Sequence, residues 1–414
     1  MKTGIFSKIA TSLILGMLSP FIIVSCSSDD DGNGNNLRKK IALTPEEAMI
    51  ASDGQSMALN MLKYFAVNSE NDNFMVSPLS AQFCLGMLAN GASGNTLKEF
   101  VTALNVTSLS ELNSLNQRLS TELPKVDKKT TFRNANSMWL NKDFQVLPDY
   151  SLILSKVYNA DATSLDLTTM SAVNKINRWC SDKTNGMISK IFSEPLSDQV
   201  DMLLINALYF KGEWSKPFEK GNTSDKEFTN ADGSKVKVPM MQDSQTIRCL
   251  RSTDHYMFSL NYGNEAYRMI VILPYEGYNL GGVLESFSKD DWAKWKREGQ
   301  VMECSLWMPK FKIDTDLRLN DFLLHLGIKD AFNPTNADFS NLSQKNVLLS
   351  DVWQLTSIEV DEKGTEAAAV TIGGIMDSLP IGPDMEIHVD RPFAFLIEET
   401  STGAVLFAGR INKM

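Results

Sequence analysis

The stretch "EVDEKGTEAAAVTIGGIMDSLPIGPDMEIHVDRPF", residues 359–393, decides how this chain is read. A strand-like run ends at the acidic corner Asp361–Glu362. Gly364, Thr365 and three alanines follow. About twenty small, apolar and turn-forming side chains then pass before another strand begins. Connections longer than about 12–15 residues are uncommon in compact domains, and are usually functional or disordered.

Working outward, "FAFLIEETSTGAVLFAGRI" after residue 392 reads as two apolar strands joined by a Thr-Gly turn, a hairpin. Upstream, "YRMIVILPY" and "CSLWMPKFKID" read as strands with a proline near one end. "RLNDFLLHLGI" is a helix closed by Gly327, and "DMLLINALYF" from 201 is apolar enough for a strand buried on both faces. The first half is helical. Thr44 as N-cap, Pro45 in the first turn and Glu47 closing a capping box start a helix. Ala58, Leu62 and Phe65 keep its spacing. A short strand then leads to Ser77-Pro78, which opens an apolar helix ending near Gly91 and Gly94. "SAVNKINRWCSDKTNGMISKIF" from 171 is a helix followed by an Asn-Gly turn. Neither a repeat nor a linker interrupts 44–414, so the expectation is one large α+β domain.

The 414 residues carry a net charge of −10, which does not favour phosphate backbones, so a nucleic-acid role is not expected. No interior stretch approaches the roughly 20 apolar residues of a membrane span. Residues 1–25 have early lysines and an apolar run, the form of a secretory signal peptide. The run ends "IVSC", which resembles a lipobox with Cys26 as the lipidated residue; ordinary cleavage and an uncleaved anchor are the alternatives. Residues 26–43 form an acidic, Gly- and Asn-rich tether. Its Ser-Asp-Asp run resembles the surface-export signal of Bacteroidetes-type lipoproteins. The expected location is therefore the outer membrane, facing outward, with a periplasm-facing tether as the alternative. The lipid anchor is the expected membrane contact. Cys84, Cys180, Cys249 and Cys304 lack regular spacing and read as buried thiols, with disulfides left open. His255, His325 and His388 lack zinc-site spacing, so neither a metal nor another cofactor is expected. There is no GxSxG, HExxH, CxxC pair or phosphate-type glycine loop, so an enzyme is not expected.

From about residue 44 to 412 the motifs resemble the serpin family, in the family's order. They are "NFMVSPLSAQFCLGMLANGASGNTLKEF", "INRWCSDKTNGMISKIF", "LLINALYFKGEWSKPF", "MPKFKID", "LGIKDAF", "ADFSNLS", "DEKGTEAAAVT" and "DRPFAFLIEETSTGAVLFAGRI". The resemblance implies an α+β fold of about nine helices and three β-sheets, with a dominant central sheet A and an exposed reactive-centre loop over about 362–386. It also implies a monomeric suicide inhibitor. A serine protease cleaves the loop through an acyl-enzyme. The loop then inserts into sheet A as a new strand and distorts the trapped enzyme. Cysteine proteases are a further target class. A non-inhibitory serpin, serving as a binding or chaperone module, is the competing reading.

The hinge implied by the resemblance comprises Glu362, Gly364, Thr365, Ala367, Ala368 and Ala369. Counting by twos from Thr365 gives Ala367, Ala369, Thr371 and Gly373, all small or uncharged, as an inward-facing set requires. Glu366 falls on the opposite set. The family's usual interval from Glu362 reaches Ser378, so Ser378–Leu379 is the first choice of scissile bond. Met376–Asp377 and Leu379–Pro380 are alternatives. With no Arg or Lys between Lys363 and Arg391, the expected targets are elastase-, chymotrypsin- or subtilisin-like. By resemblance, Ser77, Ser80, Asn206 and Gln354 fall at the shutter, where sheet A parts, and Trp214 at the breach, where the hinge enters. Helix capping by Ser77 and core packing by Trp214 are the plainer readings. Gln354 stands where most members have histidine. The helix D region, "LSELNSLNQRLSTELPKVDKK", mixes acids with its few bases, so a polyanion activator is not expected there.

Overall fold

The computed structural model describes residues 37–69, 73–184, 186, 188–365 and 385–414. Among these, nine α-helices run in chain order: α1 (Pro45–Asn68), α2 (Pro78–Gly91), α3 (Gly94–Ala103), α4 (Leu109–Glu122), α5 (Pro148–Tyr158), α6 (Met170–Lys183), α7 (Leu280–Ser286), α8 (Lys289–Glu298) and α9 (Asn320–His325). The first strands are β1 (Phe74–Val76), β2 (Thr130–Asn141), β3 (Asp161–Leu165), β4 (Met202–Glu213), β5 (Ser224–Thr229), β6 (Lys235–Arg251), β7 (His255–Tyr262) and β8 (Tyr267–Pro274). They are followed by β9 (Gln300–Pro309), β10 (Phe311–Arg318), β11 (Leu349–Val360), β12 (Gly364–Thr365), β13 (Met385–His388), β14 (Phe393–Glu399) and β15 (Val405–Ile411).

The local signals act as expected. Thr44 accepts from the amide of Glu47 while the Glu47 carboxylate accepts from the amide of Thr44, a complete capping box. Ser77 caps α2, and every residue of α2 is buried, because none carries a charge and the helix runs through the core. Gly327 adopts φ 90 just beyond α9, a left-handed conformation that a side chain would resist.

Hydrogen bonding joins the strands into two sheets. One has six strands in the order β10-β11-β12-β4-β2-β3. The other has nine, in the order β1-β15-β14-β8-β7-β6-β9-β13 with β5 on β6. The three sheets of the resemblance merge into two because β6, 17 residues long, pairs with β5, β9 and β7 in succession. The six-stranded sheet receives the hinge and is therefore sheet A. Odd-numbered residues of β4, including Leu203, Ile205 and Ala207, pack with Ile176 and Cys180 of α6 on one face. Even-numbered ones face α2 and the main core, which the nine-stranded sheet closes.

The connection expected over 362–386 is shorter, since Gly364–Thr365 and Met385–His388 are strand. Residues 366–384, with Ala367, Ala368, Ala369, Met376, Asp377, Ser378 and Leu379, lie outside the described residues. So do Cys26, the leader and the tether to residue 36.

Cys84, Cys180, Cys249 and Cys304 are free and buried. Burial pushes the thiols of Cys84, Cys180 and Cys304 up to about 12 and that of Cys249 to about 11. Thiolate is the reactive form. A thiol reagent at pH 8 is therefore expected to leave these four unmodified in the folded protein and to label all four in denaturant. Rapid labelling of the native state would contradict this packing.

Candidate functional site: the breach and shutter of the six-stranded sheet

The breach is built where β11 ends. The Asp361 carboxylate accepts from the amides of Lys363 (2.9 Å) and Gly364 (3.1 Å), which turns the chain back. Thr365 then pairs antiparallel with Val360 on one side and with Gly212 on the other. Gly364 opposite Glu213 must be glycine, since a Cβ there would stand 2.0 Å from the carbonyl oxygen of Gly212. Thr365 is fully buried and its hydroxyl lies 2.8 Å from that of Tyr262. Trp214 stacks on Tyr262 with centroids 4.3 Å apart and rings 15° from parallel. The Trp214 indole donates to the carbonyl of Asp361 (3.0 Å) and its amide to the carbonyl of Lys363 (2.7 Å). Trp214 therefore both packs in the core and holds the hinge turn.

Glu362 is also buried. It pairs with Lys310 at 2.9 Å and accepts from the Thr223 hydroxyl at 2.9 Å. Burial alone would raise its pKa, but the hydrogen bonds from Lys310 and Thr223 and the charge of Lys310 bring it below the ordinary 4.5.

Beneath the sheet lies the shutter. Between Leu349↔Met202 and Thr356↔Leu208, β11 and β4 pair directly and in parallel, with Gln354 opposite Asn206. The Gln354 amide accepts from the Ser77 amide (2.7 Å) and donates to the Ser77 carbonyl (2.8 Å) and the Ser80 hydroxyl (3.1 Å). Ser80 donates to the side-chain carbonyl of Asn206. Asn206 donates to Asn134 (2.9 Å) and Asn136 (2.5 Å) of β2. Ser77 also caps α2, so its hydroxyl serves the helix while its backbone amide and carbonyl meet Gln354. The polar groups under the seam thus tie both of its strands to the start of α2.

The structure brings Ser77, Ser80, Asn206 and Gln354 into one cluster, and Trp214, Glu362, Gly364 and Thr365 into the other. Sequence reasoning missed Tyr262, Lys310, Thr223, Asn134 and Asn136. Asn134 and Asn136 carried a readable signal, two amides on one face of a strand whose partner presents Asn206 to the core. Lys310 lies within the quoted "MPKFKID", though nothing there marked its pairing with Glu362, and Tyr262 and Thr223 carried no signal, being met only through tertiary pairing.

Replacing Lys310 by Ala is expected to lower stability by about 1–2 kcal/mol, a figure reduced for the solvent access of Lys310. Because the folded pKa of Glu362 is depressed, its contribution is complete above the unfolded value. It is lost as pH falls through the depressed one. In denaturant titrations, the deficit of the variant should thus hold from pH 5 upward and shrink below pH 4; a deficit independent of pH would exclude the ion pair as its cause.

The family model described as serpin, serine protease inhibitor, matches residues 52–414. The chain is 31% identical over 377 residues to a serine protease inhibitor of Cyanea capillata, covering 88% of this chain and 98% of that one. It is 28% identical to the human leukocyte elastase inhibitor, covering 88% and 99%. Among solved structures it is similar to tengpin, a thermophilic serpin in the native state, with TM-score 0.81 and 30% identity over 92% of this chain and 97% of that one. The fold, the ordered motifs and these likenesses agree, and the chain belongs to the serpin family.

Proposed function

We propose that this serpin is a suicide-substrate inhibitor of elastase-, chymotrypsin- or subtilisin-like serine proteases. The observation that carries the reading is the position of Thr365. It occupies the first place of a strand between β11 and β4, side chain inward, while further along the two strands close directly on each other. β12 is antiparallel to both neighbours, whereas β11 and β4 are parallel to each other. A strand continuing β12 replaces one slanted parallel ladder by two antiparallel ones, which are the more stable per residue. Continuing the register by twos sets Glu366 opposite Lys211 on the outer face. The same register sets Ala367, Ala369 and Thr371 inward, with Thr371 between Asn206 and Gln354. A small side chain is tolerated at each inward place, and the one hydroxyl meets the polar cluster.

In this mechanism the protease serine attacks a carbonyl in the bait, with Ser378–Leu379 the proposed bond. The C–N bond breaks, the new amino terminus leaves with β13, and the carbonyl stays esterified to the enzyme. Insertion then carries the ester away from the hinge before water hydrolyses it. The absence of cations between Lys363 and Arg391, and the likeness to an elastase inhibitor, both favour an apolar specificity. We place the protein as a monomer held by lipid at Cys26 on the outer membrane, facing outward.

The test mixes protein lacking residues 1–36 with elastase, chymotrypsin, subtilisin and trypsin. A covalent band that survives denaturation is expected with at least one of the first three, releasing a peptide that begins at Leu379. Thr365→Arg, which puts a charge on the buried face, should be cleaved without forming the band. Clean cleavage of the unaltered protein by all of them, with no band, would leave only a binding role.

Gln354 adds a second expectation. An amide donates and accepts but does not titrate, whereas histidine titrates near 6.5. The inhibition rate, corrected for the protease, is expected to be flat from pH 5 to 7, and Gln354→His to introduce a pH dependence. A steep slope in the unaltered protein would remove the shutter from this role.

A further inference from the structure

We propose that a cleft of about 250 Å³ on the outer face of the nine-stranded sheet is a binding site for a phosphate group. Among the charged and polar residues that line it are Arg38, Arg248 and Arg268, the acid Glu265, and the neutral Ser259 and Asn261. Counting the Glu398 that pairs with Arg268, three arginines against two glutamates leave an excess of one positive charge, in a chain whose net charge is −10. The sheet sets the arrangement. Tyr262 of β7 points to the core, where it meets Thr365, so Ser259 and Asn261 point away from it. Cross-strand pairing places Arg248 beside Ser259 and Arg268 beside Asn261.

The donors of this cleft are not used up by the protein. Glu398 holds Arg268 through Nε and Nη2, and the guanidinium lies 4.6 Å from the centre of the Trp295 ring. Its position is thereby fixed, and Nη1 has no hydrogen-bond partner among the described residues. Arg248 gives Nη1 to the carbonyl of Gly299. Arg38 makes no ion pair among the described residues. Ser259 is only 4% exposed, yet its hydroxyl has no hydrogen-bond partner among the described residues, nor has the side-chain amide of Asn261. Both groups line the cleft, where a ligand oxygen can accept from them. Guanidinium groups flanked by hydroxyl and amide donors suit a tetrahedral oxyanion. The volume is below that of a drug-sized pocket, so it fits a free anion or one lipid headgroup.

A larger cavity, about 520 Å³, lacks these properties. Its Arg391 is spent on two carbonyls and Asp390, Arg410 donates to the carbonyl of Ala66, and two acids balance the two arginines.

The phosphate could come from solution or from a phospholipid, since Arg38 lies only twelve residues beyond Cys26. The probes are inorganic phosphate, followed by calorimetry and thermal shift against chloride at equal ionic strength, and phosphatidylcholine vesicles with or without phosphatidylglycerol. Saturable binding of phosphate, of the anionic vesicles or of both is expected, and names the source. Asn261→Asp should weaken it more than about tenfold, and Arg38→Gln roughly threefold or more. Arg38 is exposed, so its variant decides the matter should Asn261→Asp fail to fold. Binding of neither probe, or binding that both variants leave unchanged, would overturn the site.

Discussion

The seam between β11 and β4 is the contact on which the rest of this molecule is organised. Both strands are long, and each has an antiparallel partner on its far side, β10 and β2. Toward each other they run parallel. A parallel pair between two antiparallel ones leaves the sheet with a better arrangement available: one more strand, running opposite to both. The hinge residues Gly364 and Thr365 already hold the first places of that strand, at the end of the seam where β11 and β4 diverge.

Besides its backbone ladder and the apolar packing on its two faces, polar side chains tie the seam closed. Gln354 and Asn206 face each other across it, and both are tied through Ser77 and Ser80 to the start of α2. Buried amides and hydroxyls are expensive to leave unpaired. Parting the strands therefore needs replacement partners, which restricts what can enter. At the open end the same economy applies. Trp214, Tyr262, Lys310 and Thr223 each hold one group of the hinge, so it emerges from a fixed anchor.

The parts of this design that were legible in the sequence are those set by neighbours in the chain. The capping box of Thr44 and Glu47 spans three residues, and the C-terminal hairpin joins adjacent strands. The glycine at 364 sits in a short turn whose acidic corner was visible. The partners of the hinge could not be read. Thr365 and Tyr262 are 103 positions apart, Glu362 and Thr223 139, and Glu362 and Lys310 52. Nothing in the local pattern of "HYMFSLNY" marks its last tyrosine as different from any other buried aromatic.

The sequence by itself determined the fold class, the helix starts and the thiols as buried hydrophobes. Each of these follows from propensity, periodicity or a motif a few residues long. Only the tertiary structure decided that the hinge is already two residues deep in the six-stranded sheet, that β11 and β4 close directly beyond it, and that unpartnered donors from three strands gather with Arg38 beside one cleft. These depend on strand register, which is fixed jointly by residues far apart in the chain. No window of local sequence contains both partners of such a pair.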